Sequence, residues 1–345
     1  MLGLKLLQLP FHLGGLGLRE SQRSSHPAFL GSCNSARFLV SRLAPNFDVT
    51  SFFPDENCAI SYFQSLSILP SNLSSQNDLQ ASLDDQLFAS IFNTSTIRDQ
   101  ARLRAVAHSS GVSSGWLKAI PQPTLGLAFS PHEFVIAVRL WLGVPLFPLL
   151  PLCTCLSVID QFGDHLLGCS HGPLRIQCHD ALVSIVHHAL LQDHPGVLRE
   201  QSIASDQSRP GDIYHPDFTL GRPAYFDLSV RCTTQPSFIS AAASKAGVAA
   251  AAGEGAKDDH YLETVNNHGG DFFPLVCESF GVWTPFALST LSTIADRTTV
   301  KSGIPRQFAR KQLLQRLSVT LWRYNAKMIL RHYGLCPEDG IDLLN

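Results

Sequence analysis

The stretch 209–230, "RPGDIYHPDFTLGRPAYFDLSV", sets the fold class. Two short runs rich in aromatic and β-branched residues flank Gly221-Arg222-Pro223, and that pattern reads as two strands joined by a tight turn. Asp212 opens the first strand, and Asp227 sits inside the second between Phe226 and Leu228. Strand alternation turns Asp227 to the face opposite its two neighbours. A carboxylate in mid-strand is costly to bury unless it is paired or holds a metal. Two carboxylates on neighbouring strands can hold Mg²⁺ and activate water. The alternative is an Asp227 that faces solvent on an open hairpin. Asp217, in "HPDF", is a rival with the character of a turn or edge residue.

Downstream, 241–261 is alanine-rich and reads as helix despite three glycines, "FFPLVCESFGVW" (272–283) as a strand, and about 305–332 as a long helix. Upstream, 173–193 reads as an amphipathic helix, with Ile176, Leu182, Ile185, Val186, Ala189 and Leu190 on one face. The order helix, strand, strand, helix, strand, helix implies an α/β core of roughly 150 residues at the C-terminal end. The N-terminal half reads differently. Residues 1–25 are an apolar, glycine-rich loop leading to a helix start at Ser21, and 26–65 are helical in pieces. The polar stretch 70–96 is a linker or an exposed helix, and 98–118 a helix followed by a turn. Ser130, Pro131 and Glu133 form a capping box that opens a helix over 130–144.

Three cysteines and a histidine lie within "CTCLSVIDQFGDHLLGC" (153–169), as Cys153-x-Cys155-x9-His165-x3-Cys169. Four Cys/His donors in two close pairs suit tetrahedral zinc. The alternative is three buried thiols beside a histidine, since free cysteine is a common core residue; Cys178 and His171 compete as ligands. Lys257 and Tyr261 lie one helical turn apart, where a lysine can stabilise charge on a phosphate or simply be solvated.

The 345 residues are 45% hydrophobic and 16% charged, which favours folding over disorder. A net charge of −2 gives no global case for nucleic-acid binding, so any such case is local. One local case exists. The segment 297–331 carries nine Lys/Arg and no acid, and Trp322 and Tyr324 add aromatic surface. Arg306, Arg310, Lys311, Arg316, Arg323 and Lys327 are therefore candidates for contacts to phosphates, with a solvated helix face as the alternative. Nine unevenly spread cysteines in a chain this long argue against a small secreted disulfide scaffold and for a reduced, intracellular protein, expected in the nucleus. The apolar run 140–152 is too short and proline-broken to span a bilayer, so no membrane association is expected.

The cysteine cluster, "RIQCHD", "RPGDI", "FDLSV" and "KDDHY", in this order, resemble the restriction-like endonuclease region of site-specific non-LTR retrotransposon polyproteins. "LPFHLGGLGLRE" resembles the segment after their polymerase core, and "SVTLWRYNAKMIL" their C-terminal end. The resemblance implies a zinc knuckle at Cys153, Cys155, His165 and Cys169, followed by a PD-(D/E)xK-type core: a mixed sheet flanked by helices. It implies that Asp212 and Asp227 hold catalytic Mg²⁺ or Mn²⁺, that Lys257 and Tyr261 are the displaced lysine–tyrosine pair, and that Glu200 is an accessory acid. Two departures stand out: Gly211 separates Pro210 from Asp212, and Ser229 stands two residues after Asp227 in place of lysine. No polymerase motif is present, so no reverse transcriptase activity is expected.

The expected organisation is a post-polymerase remnant (1–25), a mainly helical linker region (26–145), the knuckle (146–172), the nuclease core (173–300) and a basic C-terminal helix and tail (301–345). The expected activity is metal-dependent nicking of target DNA for element insertion, with element RNA as a further partner. The alternative is a zinc-stabilised nucleic-acid-binding remnant without catalysis.

Overall fold

The computed structural model describes residues 2–44, 56–71, 74–107, 112–203 and 209–333. The chain divides into two compact units between Thr94 and Ser95, inside the stretch expected to be one helical linker region.

The first unit is helical: α1 (Leu2–Gln8), α2 (Ser21–Leu43), α3 (Glu56–Ser65) and α4 (Gln76–Thr94). Its core is Leu30, Ala59, Phe63, Leu79 and Leu83. The start of α2 at Ser21 agrees with the sequence reading. The linker alternative for 70–96 does not hold for 76–94. In α4 the buried Leu79, Leu83 and Ile91 fall four and eight residues apart, on one stripe. Ser, Asn, Gln and Asp on the remaining faces hid that stripe. Asp84, also buried, is paired with Arg19 at 2.7 Å.

The second unit begins with α5 (Ile97–Val106) and α6 (Pro131–Leu142). The Ser130–Glu133 capping box is present in full. After α7 (Asp164–Gly168) and α8 (Pro173–Asp193) comes the sheet: β1 (Leu198–Arg199), β2 (Ile213–Thr219), β3 (Arg222–Arg231) and β4 (Asp271–Glu278). The order is β1-β2-β3-β4, with the first two pairings antiparallel and β3–β4 parallel. The β2–β3 hairpin turns at Leu220 and Gly221, both at positive φ (45° and 85°), the backbone that matches strand twist in a two-residue turn. A parallel pair needs a crossover, supplied here by α9 (Ile239–Ser244) and α10 (Val248–Asn267). The single helix expected over 241–261 is thus two, broken where Gly247 takes φ 82°. β4 stops at Glu278, short of the expected 283, because Gly281 N–H folds back to the Glu278 carbonyl at 2.8 Å.

Strand alternation sorts the two faces. Phe226 stacks on Phe273 and meets Phe218 edge-on, and Phe273 in turn stacks on Phe286 of α11 (Pro285–Ser302). On the opposite face Tyr225 and Phe272 pack on Val265 of α10. Helix α8 shares the α11 side of the sheet. Its buried residues are Cys178, Leu182, Val183, Ile185, Val186, Ala189 and Leu190. Ile176, expected on that face, is 64% exposed. Six residues rotate 240° past the stripe, whereas the four from Cys178 to Leu182 return to it.

The last helix, α12 (Arg306–Leu330), packs on α6, α8 and α11. Trp322, expected to offer aromatic surface to bases, is 0% exposed. It stacks on Trp116 at 5.2 Å and meets Trp141 at 5.5 Å. The aromatic at this position belongs to the core because α12 is a central packing helix. The tail expected after it lies outside the described residues from 334 onward. Among the described residues no helix is long and apolar enough to cross a membrane.

Candidate functional site

The β2–β3 ladder ends at the pair Ile213–Phe226. Beyond that point the Leu228 N–H has no β2 carbonyl to meet, and the Asp212 carboxylate accepts it at 2.7 Å. Asp212 therefore turns inward as a local consequence of where the ladder stops. His179, from α8, places Nε2 3.2 Å from the same carboxylate oxygen and 3.1 Å from the Leu228 carbonyl oxygen. Its Nδ1 lies 3.2 Å from Asp180. With acceptors at both nitrogens the ring is held as imidazolium. The bond to Asp212 raises its pKa to about 9. For Asp212 burial pushes upward, but the bond and charge of His179 outweigh it and hold the carboxyl below its usual range.

Asp227 lies on the α10 side of β3, opposite Phe226 and Leu228, and is 8% exposed. Lys257 of α10 closes on its carboxylate as an ion pair. Burial raises the Asp227 pKa to about 6, against the pull of Lys257 and with the help of the neighbouring Asp212 charge. The open-hairpin alternative for Asp227 and the solvated reading of Lys257 both fail. Tyr261 lies one turn beyond Lys257, and its phenol is raised first by burial and then by the charges of Asp227 and Asp212. Asp212 just ahead of β2, Asp227 of β3, and Lys257 and Tyr261 of α10 thus share one neighbourhood.

Glu200 does not join them. Its N–H donates to the Asp212 carbonyl at 3.0 Å, but its side chain is exposed and pairs with Arg209 at 2.8 Å. Asp217, near the end of β2, accepts the Gly221 N–H at 2.8 Å and so supports the hairpin turn. His179 is the group the sequence did not assign. It sits in the quoted "RIQCHD", yet only the tertiary pairing with Asp212 distinguishes it from any polar residue on the edge of an amphipathic helix.

The donor set suits a hard divalent cation. Two carboxylates meet, and the protein's hydrogen bonds use the Oδ2 atom of each. The hydroxyl of Ser229, two residues along β3 on the Asp227 side, is buried with no hydrogen-bond partner among the described residues. Oxygen donors of this kind, completed by water, are what Mg²⁺ and Mn²⁺ take.

The second cluster is built on a tight loop. Leu152 and Val158 form an antiparallel bridge, Cys153 N–H donates to the Ser157 carbonyl at 2.9 Å, and Leu156 turns the chain at φ 66°. Cys153 and Cys155 project from this loop, which is why a one-residue gap suffices. Asp160 accepts the N–H groups of Phe162, Asp164 and His165 at 2.9, 3.1 and 2.8 Å and so starts α7. His165 lies on α7, with Cys169 just past its end. Arg98 clamps the same helix through both oxygens of Asp164, at 2.7 and 2.8 Å.

The four donor atoms lie within 4.8 Å of one another, and this Cys₃His set could hold a metal ion such as zinc. Sulfurs of Cys153 and Cys169 are 3.7 Å apart, and Cys155 Sγ is 3.2 Å from His165 Nε2. A regular Zn tetrahedron with Zn–S near 2.3 Å has S–S edges of about 3.8 Å and S–N edges of about 3.6 Å. The first separation matches and the second is slightly compressed. Hydrogen bonds from Ser157 pull the Cys155 thiol down to about 6, whereas burial pushes Cys169 up to about 11. The competing ligands stand apart: Cys178 is in the buried face of α8, pushed up to about 12 by burial, and His171 bonds Ser170.

The six basic residues of α12 fall into two groups. Arg306, Lys311 and Arg316 form no salt bridge among the described residues, while Arg310 pairs with Asp296 at 2.6 Å. Arg323 and Lys327 approach the buried Glu133 at 3.4 and 3.8 Å and help seat α12 on α6.

No family model matches the chain, and no curated protein matches it.

Proposed function

We propose that the chain is a divalent-metal-dependent DNA endonuclease of the PD-(D/E)xK type, the nicking domain of a non-LTR retrotransposon. The observation that carries this reading is the meeting of Asp212, just ahead of β2, with Asp227 of β3, whose carboxylate is paired with Lys257. Both carboxylates would hold Mg²⁺ or Mn²⁺, which supplies an activated water and charge neutralisation at the scissile phosphate. The chain's own groups do the rest. His179 fixes the Asp212 carboxylate by bonding it and the Leu228 carbonyl together. Lys257 is placed to leave Asp227 for a phosphate oxygen and to stabilise its developing charge. Tyr261 flanks the lysine one turn along α10. The Cys₃His cluster serves as a structural zinc knuckle that positions the start of α8, and with it His179.

A second reading, a non-catalytic DNA- or RNA-binding remnant, draws on one observation: Lys257 and His179 already neutralise both carboxylates. Supercoiled plasmid separates the two. The nuclease nicks it only with Mg²⁺ or Mn²⁺, and Asp227→Ala abolishes nicking with zinc content unchanged. An Asp227→Ala variant that nicks as fast as the parent rules the assignment out, and a folded, zinc-loaded parent that never nicks favours the remnant.

A further inference from the structure

Helices α8, α11 and α12 do not close on one another completely. Ala189, Ala295 and Ala309, one from each helix, form the floor of a cleft of about 610 Å³. That volume lies in the range of small-ligand sites. The cleft is not the carboxylate centre seen from another side. His188 on its wall is nine residues from His179, about 13.5 Å along α8 and half a turn around it.

The rim is cationic, and Lys301 Nζ on it donates to the Asp193 backbone carbonyl at the end of α8. Lys301 and Arg316 line it, with Arg306 and Lys311 on the same exposed corner, and none of the four is in a salt bridge among the described residues. The one basic residue of α12 on this corner that does find an acid, Arg310, uses up Asp296. Among the described residues no Asp or Glu lines the cleft. The side chains of Gln192 and Gln312, also on the walls, make no hydrogen bond in the described structure and offer both donors and acceptors.

We infer that this cleft binds unpaired nucleotides of a single DNA strand, with phosphates on Lys301 and Arg316 and base edges against Gln192 and Gln312. This rests on the nuclease reading for the identity of the polymer, and its chemistry is independent of the carboxylates. Charge complementarity selects a polyanion, and the concave, small-residue floor selects a strand whose bases can turn inward. A duplex presents only its backbone to such a cleft. Grip on nucleic acid belongs to the α11–α12 corner, while Arg323 and Lys327 serve packing.

The test is anisotropy of a fluorescein-labelled 20-nucleotide dT strand with the full chain in Ca²⁺, across a salt series. Lys301→Ala/Arg316→Ala is expected to weaken binding about tenfold and lower the salt slope by about 1.4, for two phosphates on single-stranded nucleic acid. Gln312→Trp, which fills the cleft without changing charge, is expected to weaken binding as well. Lys5→Ala, a cation of the first unit, is the control and leaves binding unchanged. Both cleft variants binding like the parent, or a parent that binds a labelled rU strand more tightly than dT, overturns the inference. Cleft-dependent binding by a parent that never nicks plasmid keeps the cleft and removes the nuclease reading. Nicking by a parent whose cleft variants bind normally does the reverse.

Discussion

In the Cys153–Cys155–His165–Cys169 cluster four donors converge on one point with no cation of the protein among them. In the Asp212–Asp227 cluster two acids converge and the protein supplies its own cations, Lys257 and His179. The first arrangement could hold a metal ion such as zinc, and metal and local fold would then stand together. The second carries its own counter-charges, so on the proposed reading a divalent ion would compete with Lys257 and could come and go. On the proposed reading the difference is that between a structural and a catalytic metal position, and it follows from which residue types surround each set of donors.

The largest expected effect is on the catalytic side. Asp227→Ala lowers nicking by at least about 10³-fold, the scale seen when a centre of transition-state charge stabilisation is lost, and leaves zinc stoichiometry at one per chain. If zinc falls along with activity, the two clusters are not separate. The reciprocal variant, Cys169→Ser, is expected to lose zinc and unfold near the cluster, so that α7 and the start of α8 lose amide-exchange protection. Protection equal to the parent's would show that the knuckle is not structural.

Next comes Trp322, the aromatic of the basic segment that lies in the core. Trp322→Ala is expected to cost about 3–5 kcal/mol in urea unfolding, as for large buried aromatics, whereas Arg306→Ala shifts stability by less than about 0.5 kcal/mol. Comparable losses for the two would contradict the burial of one and exposure of the other.

Smaller effects come from titration. Asp227 titrates near 6 in the fold against an ordinary 3.8, so its protonated form is favoured and metal-free stability declines as pH rises through about 6. His179 titrates near 9 against 6.5, so the stability its charge contributes is present below 6.5 and is lost as pH rises through about 9. Melting curves of Asp227→Asn should lack the first decline and those of His179→Gln the second. A His179→Gln variant with the parent's pH profile would remove His179 from the centre.

Much of this architecture was legible because local chemistry and tertiary structure agree. Gly221 beside two aromatic strands gave the hairpin, Ser130 and Glu133 gave the start of α6, and the spacing from Cys153 to Cys169 gave the cluster. Asp227 was legible as an anomaly, a carboxylate where a strand wants an apolar group. What stayed hidden depends on distant partners. Trp322 reads as surface among arginines until Trp116 and Trp141 are placed against it. His179 reads as one polar residue of an amphipathic helix until the end of the β2–β3 ladder brings Asp212 to it. The break at Gly247 was invisible because alanine propensity runs on both sides of it, and the buried stripe of α4 was diluted by its polar faces.

The measurement that tests the contrast between the clusters most directly is a calorimetric titration of Mn²⁺ into the zinc-loaded chain, parent beside Asp227→Asn. The account predicts Mn²⁺ binding that strengthens as pH rises through about 6, as the Asp227 carboxyl ionises, and that disappears in the variant while zinc stays bound. Equal Mn²⁺ binding by both proteins, or Mn²⁺ entering only as zinc leaves, would contradict it.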